Sequence, residues 1–243
     1  MTKLFQDKLV VVTGGTGVLG AAIARHILDQ GGRVAIPAYD EADAGSSEFN
    51  GHDRAVIAHA GDLADQANVE AFFEEHAAGV WASIHAAGGF AFSPIEEADA
   101  DLFEQQLRMN AMTSYLCCRA AIACMRSGVD GARGDDVGGR IVNVAAKPAL
   151  HPHEGAKMAA YTASKAAVAG LTGALAEEVK ADGIWVNAVV PSIMDTPTNR
   201  EQMPNADHSA WPSVAEVAQT ACWLASPANA VTRGALVPVY GRS

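Results

Sequence analysis

Short apolar runs alternate along the chain with longer stretches whose apolar residues recur at helical spacing. Strands covered on both faces read as continuous apolar runs, and the helices covering them carry one apolar stripe. "KLVVVTGG" predicts a buried first strand running into a glycine turn, and "GAAIARHILDQGG" a helix closed by glycines. "GRVAIPAYD" reads as the second strand, with Pro37 expected to end its ladder early because proline has no N–H to donate. "RAVIAHAGDL" is the third strand and "VWASIHAAGG" the fourth, followed by one long helix from about Asp99 to Arg126. "GGRIVNVAA", "GIWVNAVVP" and "GALVPVYG" supply strands five to seven, separated by the helices "AAYTASKAAVAGLTGALAEEVKA" and "SVAEVAQTACWLAS". This order predicts an α/β chain with a doubly wound parallel sheet of about seven strands and helices on both faces.

No internal repeat or linker interrupts residues 1–243, so one domain is expected, with an exposed Gly/Asp-rich loop at Ser127–Gly139. Of 243 residues 49% are hydrophobic, enough to form a core without disulfides or metals. Cys117, Cys118, Cys124 and Cys222 form no CxxC pair and have no histidines at zinc spacing, so buried reduced thiols are the expectation. The formal net charge of −11 is spread along the chain, which argues against nucleic-acid binding. The first residues lack a signal-peptide pattern, and no apolar run is long enough to span a bilayer. A cytoplasmic protein with a small-molecule substrate is the expectation.

"TGGTGVLG" places Gly14, Gly17 and Gly20 three apart between the first strand and the first helix. Glycines let the backbone approach a pyrophosphate, and the helix N-terminus supplies N–H donors and a favourable dipole. Thr16, Val18 and Leu19 belong to the same candidate loop, and the context is that of a Rossmann-type nucleotide site. An acid at the end of the second strand would hold a ribose hydroxyl, whereas a small residue with a nearby arginine accommodates a 2′-phosphate. Here Ala38 holds that place, followed by Tyr39 and Asp40, with Arg54 the candidate clamp. The reading leans towards NADP, with NAD as the alternative. Asp62, beside Leu63, is a candidate acceptor from an adenine amino group, or the N-cap of "LADQANVEAFF".

Tyr161 and Lys165 lie four apart in "YTASK", on one face of a helix. A phenol near pKa 10 is a poor acid/base at neutral pH, and an adjacent ammonium lowers that value. The pair suits proton transfer to a carbonyl or imine as hydride arrives.

The order of "TGGTGVLG", "GDL", "AAGG", "RMNAMTS", "GRIVNV", "YTASK" and "VNAVVPSIMDTP" resembles the short-chain dehydrogenase/reductase family over nearly the whole chain. That resemblance implies an NAD(P)-dependent oxidoreductase with Tyr161 as acid/base. It implies that Lys165 holds the nicotinamide ribose and that Asn110 holds a relay water. Ala87 and Gly88 would border the cofactor, and Pro191–Thr196, with Met194 and Thr196, would cover the nicotinamide. A homodimer or homotetramer built on the helices carrying Asn110 and Tyr161 is likewise implied.

Three departures stand out. The glycine spacing looks like that of the family's extended branch. His85-Ala86-Ala87-Gly88 replaces the family's "NNAG", so the amides that brace the sheet are expected to be missing. The fifth strand runs into Val144-Ala145-Ala146-Lys147, and no serine or threonine lies between Gly128 and Tyr161, where the family's substrate-bonding serine would stand. The stretch "DTPTNREQMPNADHSAWPS", with "AAKPAL" and "AAGGF", is similar to dihydropteridine reductase, which also lacks that serine and reduces a quinonoid pterin.

The leading expectation is therefore reduction of a quinonoid, imine-like or activated carbonyl substrate. A ketoreductase or alcohol dehydrogenase that replaces the serine by other means is the alternative, and a non-catalytic nucleotide sensor or scaffold is the reading of another class. Ala146, Lys147, His151, His153 and Trp211 are the candidate substrate residues, with a loop or lid at about 192–213. No metal site is expected, because His151 and His153 lack a third ligand.

Overall fold

The computed structural model describes residues 3–127 and 138–243. The expected loop at Ser127–Gly139 lies largely outside them. Seven strands form one parallel sheet: β1 (Leu9–Thr13), β2 (Arg33–Ala38), β3 (Ala55–His59), β4 (Val80–His85), β5 (Gly139–Val144), β6 (Ile184–Pro191) and β7 (Leu236–Val239). Their order is β3-β2-β1-β4-β5-β6-β7, so the connections reverse direction between β1 and β4. In open sheets of this kind, ligands bind in the crevice at the carboxyl ends of the strands at that reversal.

Two apolar layers sandwich the sheet. On one face Val10, Val12, Ile36 and Ile84 pack against helices α1 (Val18–Asp29) and α9 (Val214–Ala225). On the other, Val11, Ile141 and Val186 pack against Phe72 and Phe73 of α3 (Gln66–His76) and Cys117 and Ala121 of α5 (Thr113–Ser127). All four cysteines are free: Cys117, Cys118 and Cys222 are buried and Cys124 is partly buried.

Pro37 divides its strand in an informative way. Pairing of β2 with β1 stops at Ala35, yet pairing with β3 continues through Pro37 and Ala38. Val34 and Ala38 bond towards β3, so the alternating backbone turns Pro37's missing N–H towards β1. The expected early end therefore holds on one side only, and the strands part there.

The long helix expected from Asp99 to Arg126 is not continuous. Asp99 caps α4 (Ala100–Gln106), a π turn occupies Leu107–Met112, and α5 follows. The π turn contains Asn110, and such turns often mark functional positions.

Candidate active site

A cavity of about 570 Å³ opens at the carboxyl ends of β1, β2 and β4. Gly14, Thr16, Tyr39, Asp62, Leu63, Ala87 and Gly88 all line it, joined by Asp43, Asp101, Glu104 and Arg108. Gly14 has φ +66°, and a Cβ there would meet the Ala87 amide nitrogen at 2.7 Å. A Cβ on Gly20 would collide with the Gly14 carbonyl, so these two glycines let the loop and helix close on each other. Gly17 begins α1 without a side-chain cap, leaving first-turn N–H groups available to an anion. Val18 is exposed beside it, whereas the Leu19 side chain is buried in the core. This backbone cradle fits a dinucleotide's pyrophosphate.

The α3 cap is Asp65, not Asp62. Asp62 instead accepts from the Ala64 amide and from Arg108, each at 2.8 Å. These bonds hold its carboxyl below the usual range, the Ala64 amide contributing most. Arg54 donates to the Leu28 carbonyl at 2.9 Å, at the opposite end of β3 from the cavity, and clamps nothing there.

Tyr161 and Lys165 lie in the first turns of α7 (Ala159–Glu178). The Lys165 Nζ is buried, donates to the Val144 carbonyl at 2.9 Å, and lies 6.0 Å from the Tyr161 ring centre. Desolvation lowers the Lys165 pKa to about 8 and raises that of Tyr161 to about 12. For the phenol the shift comes from burial, and the ammonium Nζ is directed to a carbonyl. Phe90 stands edge-on to the Tyr161 ring at 5.0 Å.

Asn110 joins two elements through its side chain. Its Oδ1 accepts from the Gly89 amide at 3.1 Å, and its Nδ2 donates to the Gly89 carbonyl at 3.0 Å and the Ser164 hydroxyl at 3.1 Å. The side chain is fully buried and clamps the loop after β4 to α7. Ser164 in turn donates to the Tyr161 carbonyl at 2.8 Å. A Cβ on Gly88 would meet Asn110 Oδ1 at 2.5 Å, so this loop is fitted closely against the clamp.

The brace expected to be missing with "NNAG" is present in another form. His85 bonds Asn143 of β5 at 2.9 Å and Ser83 at 2.8 Å, and Asn143 donates to Thr172 of α7 at 3.0 Å. Complete burial lowers the His85 pKa to about 4. Only a contact between residues 58 apart reveals this brace, which is why the sequence motif hid it.

The candidate substrate residues divide. Ala146 is buried at the end of β5, with α6 (Lys147–Leu150) following. Lys147 is paired with Glu154 at 2.9 Å and lies over the Tyr240 ring, which the half-buried His151 also contacts. His153 is exposed. Trp211 is buried and its ring packs 4.6 Å from that of His208, within its own segment. Within 192–213, Asp195 and Ser213 form a bridge, and the Arg242 amide donates to the Ala210 carbonyl. Thr196 caps α8 (Pro197–Gln202), Met194 packs against the core, and Pro191 ends β6. Among the described residues no group of His, Cys, Asp and Glu is disposed to hold a metal. No described helix is long and apolar enough to cross a membrane.

The family model described as short chain dehydrogenase matches residues 8–207. The chain belongs to the short-chain dehydrogenase/reductase family. It is 30% identical to the (+)-cis,cis-nepetalactol synthase of Nepeta racemosa, over 99% of this chain and 93% of that protein. It is also 30% identical to the D-threitol dehydrogenase of Mycolicibacterium smegmatis, over 96% and 92% of the two chains. A solved structure described as a short chain dehydrogenase/reductase family protein superposes with a TM-score of 0.83, at 28% identity over 97% of each chain. As a member of this family the chain is an oxidoreductase with the family's Rossmann fold, and NAD or NADP is the family's cofactor class.

Proposed function

We propose that this short-chain dehydrogenase/reductase reduces an electron-poor planar acceptor, a quinonoid or imine-like ring of the kind reduced by dihydropteridine reductase. The observation that carries the reading is the end of β5, where buried Ala145 and Ala146 offer no hydroxyl to a substrate oxygen. A missing oxyanion donor typically costs about 3 kcal/mol of transition-state stabilisation, which a simple ketone needs and an already polarised acceptor needs less. The Phe90–Tyr161 ring pair supplies an aromatic wall suited to a flat substrate.

In this reading Gly14–Gly17 and Gly88 would hold the dinucleotide, whose nicotinamide would supply the hydride. Tyr161, with its pKa near 12, keeps its proton at neutral pH and delivers it to the reduced atom as a general acid. Lys165, predominantly an ammonium at neutral pH, is held beside Gly88 and poised for the ribose hydroxyls. Asn110 is a positioning residue that fixes the loop against α7. Met194 and Thr196 would border the nicotinamide, and 192–213 would close the substrate side. The lean towards NADP loses its clamp with Arg54 engaged elsewhere.

NADH and NADPH oxidation with a quinonoid dihydropterin, a cyclic imine and a simple ketone tests the reading. Turnover is expected with the first two at rates well above the ketone. A faster ketone overturns the substrate class in favour of a ketoreductase that replaces the serine by other means. We also infer a homodimer or homotetramer through α5 and α7. Tyr115 of α5 is exposed, and α7 presents Ala163, Ala166, Ala167 and Gly170 outward. Light scattering showing a monomer at micromolar concentration would remove this.

A further inference from the structure

We propose that Asp43, in the first turn of α2 (Glu41–Ser46), selects NADH over NADPH, in place of the acid absent from the end of β2. The proposal rests on the dinucleotide reading of the cleft given above.

Ala38 ends β2 with a buried methyl that can accept nothing from a ribose. Just beyond it the chain turns back on itself. Asp40 caps α2 by accepting the Asp43 amide at 2.7 Å, and this returns the Asp43 side chain towards the strand. Its Oδ2 then accepts from the Tyr39 amide at 2.9 Å. A carboxylate bonded to the amide one residue past the strand lies beside the strand end itself. Asp43 accordingly lines the same cavity as Gly14, Thr16, Pro37 and Tyr39.

One carboxylate oxygen receives the Tyr39 N–H, and the remaining lone pairs can accept from adjacent ribose hydroxyls. A 2′-phosphate in their place would bring like charge against this carboxylate with no cation to relieve it. Among the described residues lining the cavity, Arg108 is the one lysine or arginine, and it is already paired with Asp62 at 2.8 Å. Arg25, the arginine of α1, is paired with Glu48.

Fluorescence titration of NADH and NADPH against the full protein, Asp43→Asn and Asp43→Ser tests this. The wild type is expected to bind NADH at least about tenfold more tightly than NADPH, a difference of about 1.4 kcal/mol. Asp43→Asn retains an oxygen for the Tyr39 amide, so it keeps the turn while removing the charge. It should bring the ratio close to one, mainly by tightening NADPH, and Asp43→Ser should do the same if circular dichroism shows it folded. Equal or tighter NADPH binding by the wild type overturns the selection. An unchanged ratio in both variants overturns the assignment to Asp43. If the folded wild type binds neither dinucleotide, the cleft reading itself falls, a result distinct from the other two.

Discussion

At the Tyr161 end of the cleft, Asn110 and Lys165 are 0% and 7% exposed and bonded to Gly89, Ser164 and Val144. At the Tyr39 end, Asp62 and Arg108 form an ion pair whose side chains are 47% and 56% exposed, facing an open cavity. On the function proposed above, the difference follows from the work each end would do. Proton and hydride transfer need reacting atoms held to within fractions of an ångström, so the groups that place them are buried and fully bonded. Holding an adenosine needs complementary charge and shape, which exposed side chains supply with less order.

The sharpest way to break this contrast is at the rigid end. Tyr161→Phe is expected to lower kcat by 10²-fold or more, the usual scale for a positioned general acid. NADH affinity measured by fluorescence should change little. Activity at the wild-type level would remove Tyr161 from the reaction.

Asn110→Ala should come next. It strands the partly buried Gly89 amide, at a cost of about 1 kcal/mol, and frees the loop after β4. A Tm drop of about 2–4 °C per kcal/mol is expected by calorimetry, with kcat falling more than NADH affinity. A variant with normal Tm and kcat would show that the clamp is dispensable.

His85 sharpens the comparison by asking whether the rigid end depends on a neutral core. Its folded pKa of about 4 lies below the ordinary value, so the unfolded chain takes up the proton first as pH falls. Its contribution is complete above about pH 6.5 and lost progressively towards pH 4, on the order of 3 kcal/mol. Tm of His85→Asn should therefore fall less than that of the wild type between pH 7 and pH 4.5. Parallel declines would assign the acid sensitivity to other groups.

The smallest effect is expected at the open end. Arg108→Ala removes an exposed ion pair worth about 0–1 kcal/mol, so Tm should hardly move and any gain or loss in NADH affinity should fade with added salt.

Periodicity carried most of the fold, because burial on both faces writes each strand as an apolar run. Tyr161, Lys165 and the glycine loop were legible for a similar reason: helix spacing and strand-turn-helix order are local. What stayed hidden depends on contacts across the fold. Nothing near His85 announces that Asn143 will face it, and the apolar spacing around Asn110 is compatible with an unbroken helix. Asp43 escaped because its carboxylate reaches the strand end only after a turn set by Asp40. Asp65 lies three residues beyond Asp62 and took the cap because the helix starts one turn later than the motif suggested.

The π turn at Leu107–Met112 holds one residue more than an α-helix would place in that turn. Its consequence is an unusual vulnerability to loss rather than substitution. Deleting a single residue there, ahead of Asn110, would regularise the backbone and could leave the helix as sound as before. Because the turn absorbs its extra residue internally, α4 and α5 would keep their faces, and the change would fall on the side chains inside the turn. The lesion would mend the helix and carry the Asn110 amide away from Gly89, so the fold and the chemistry would part company at one codon.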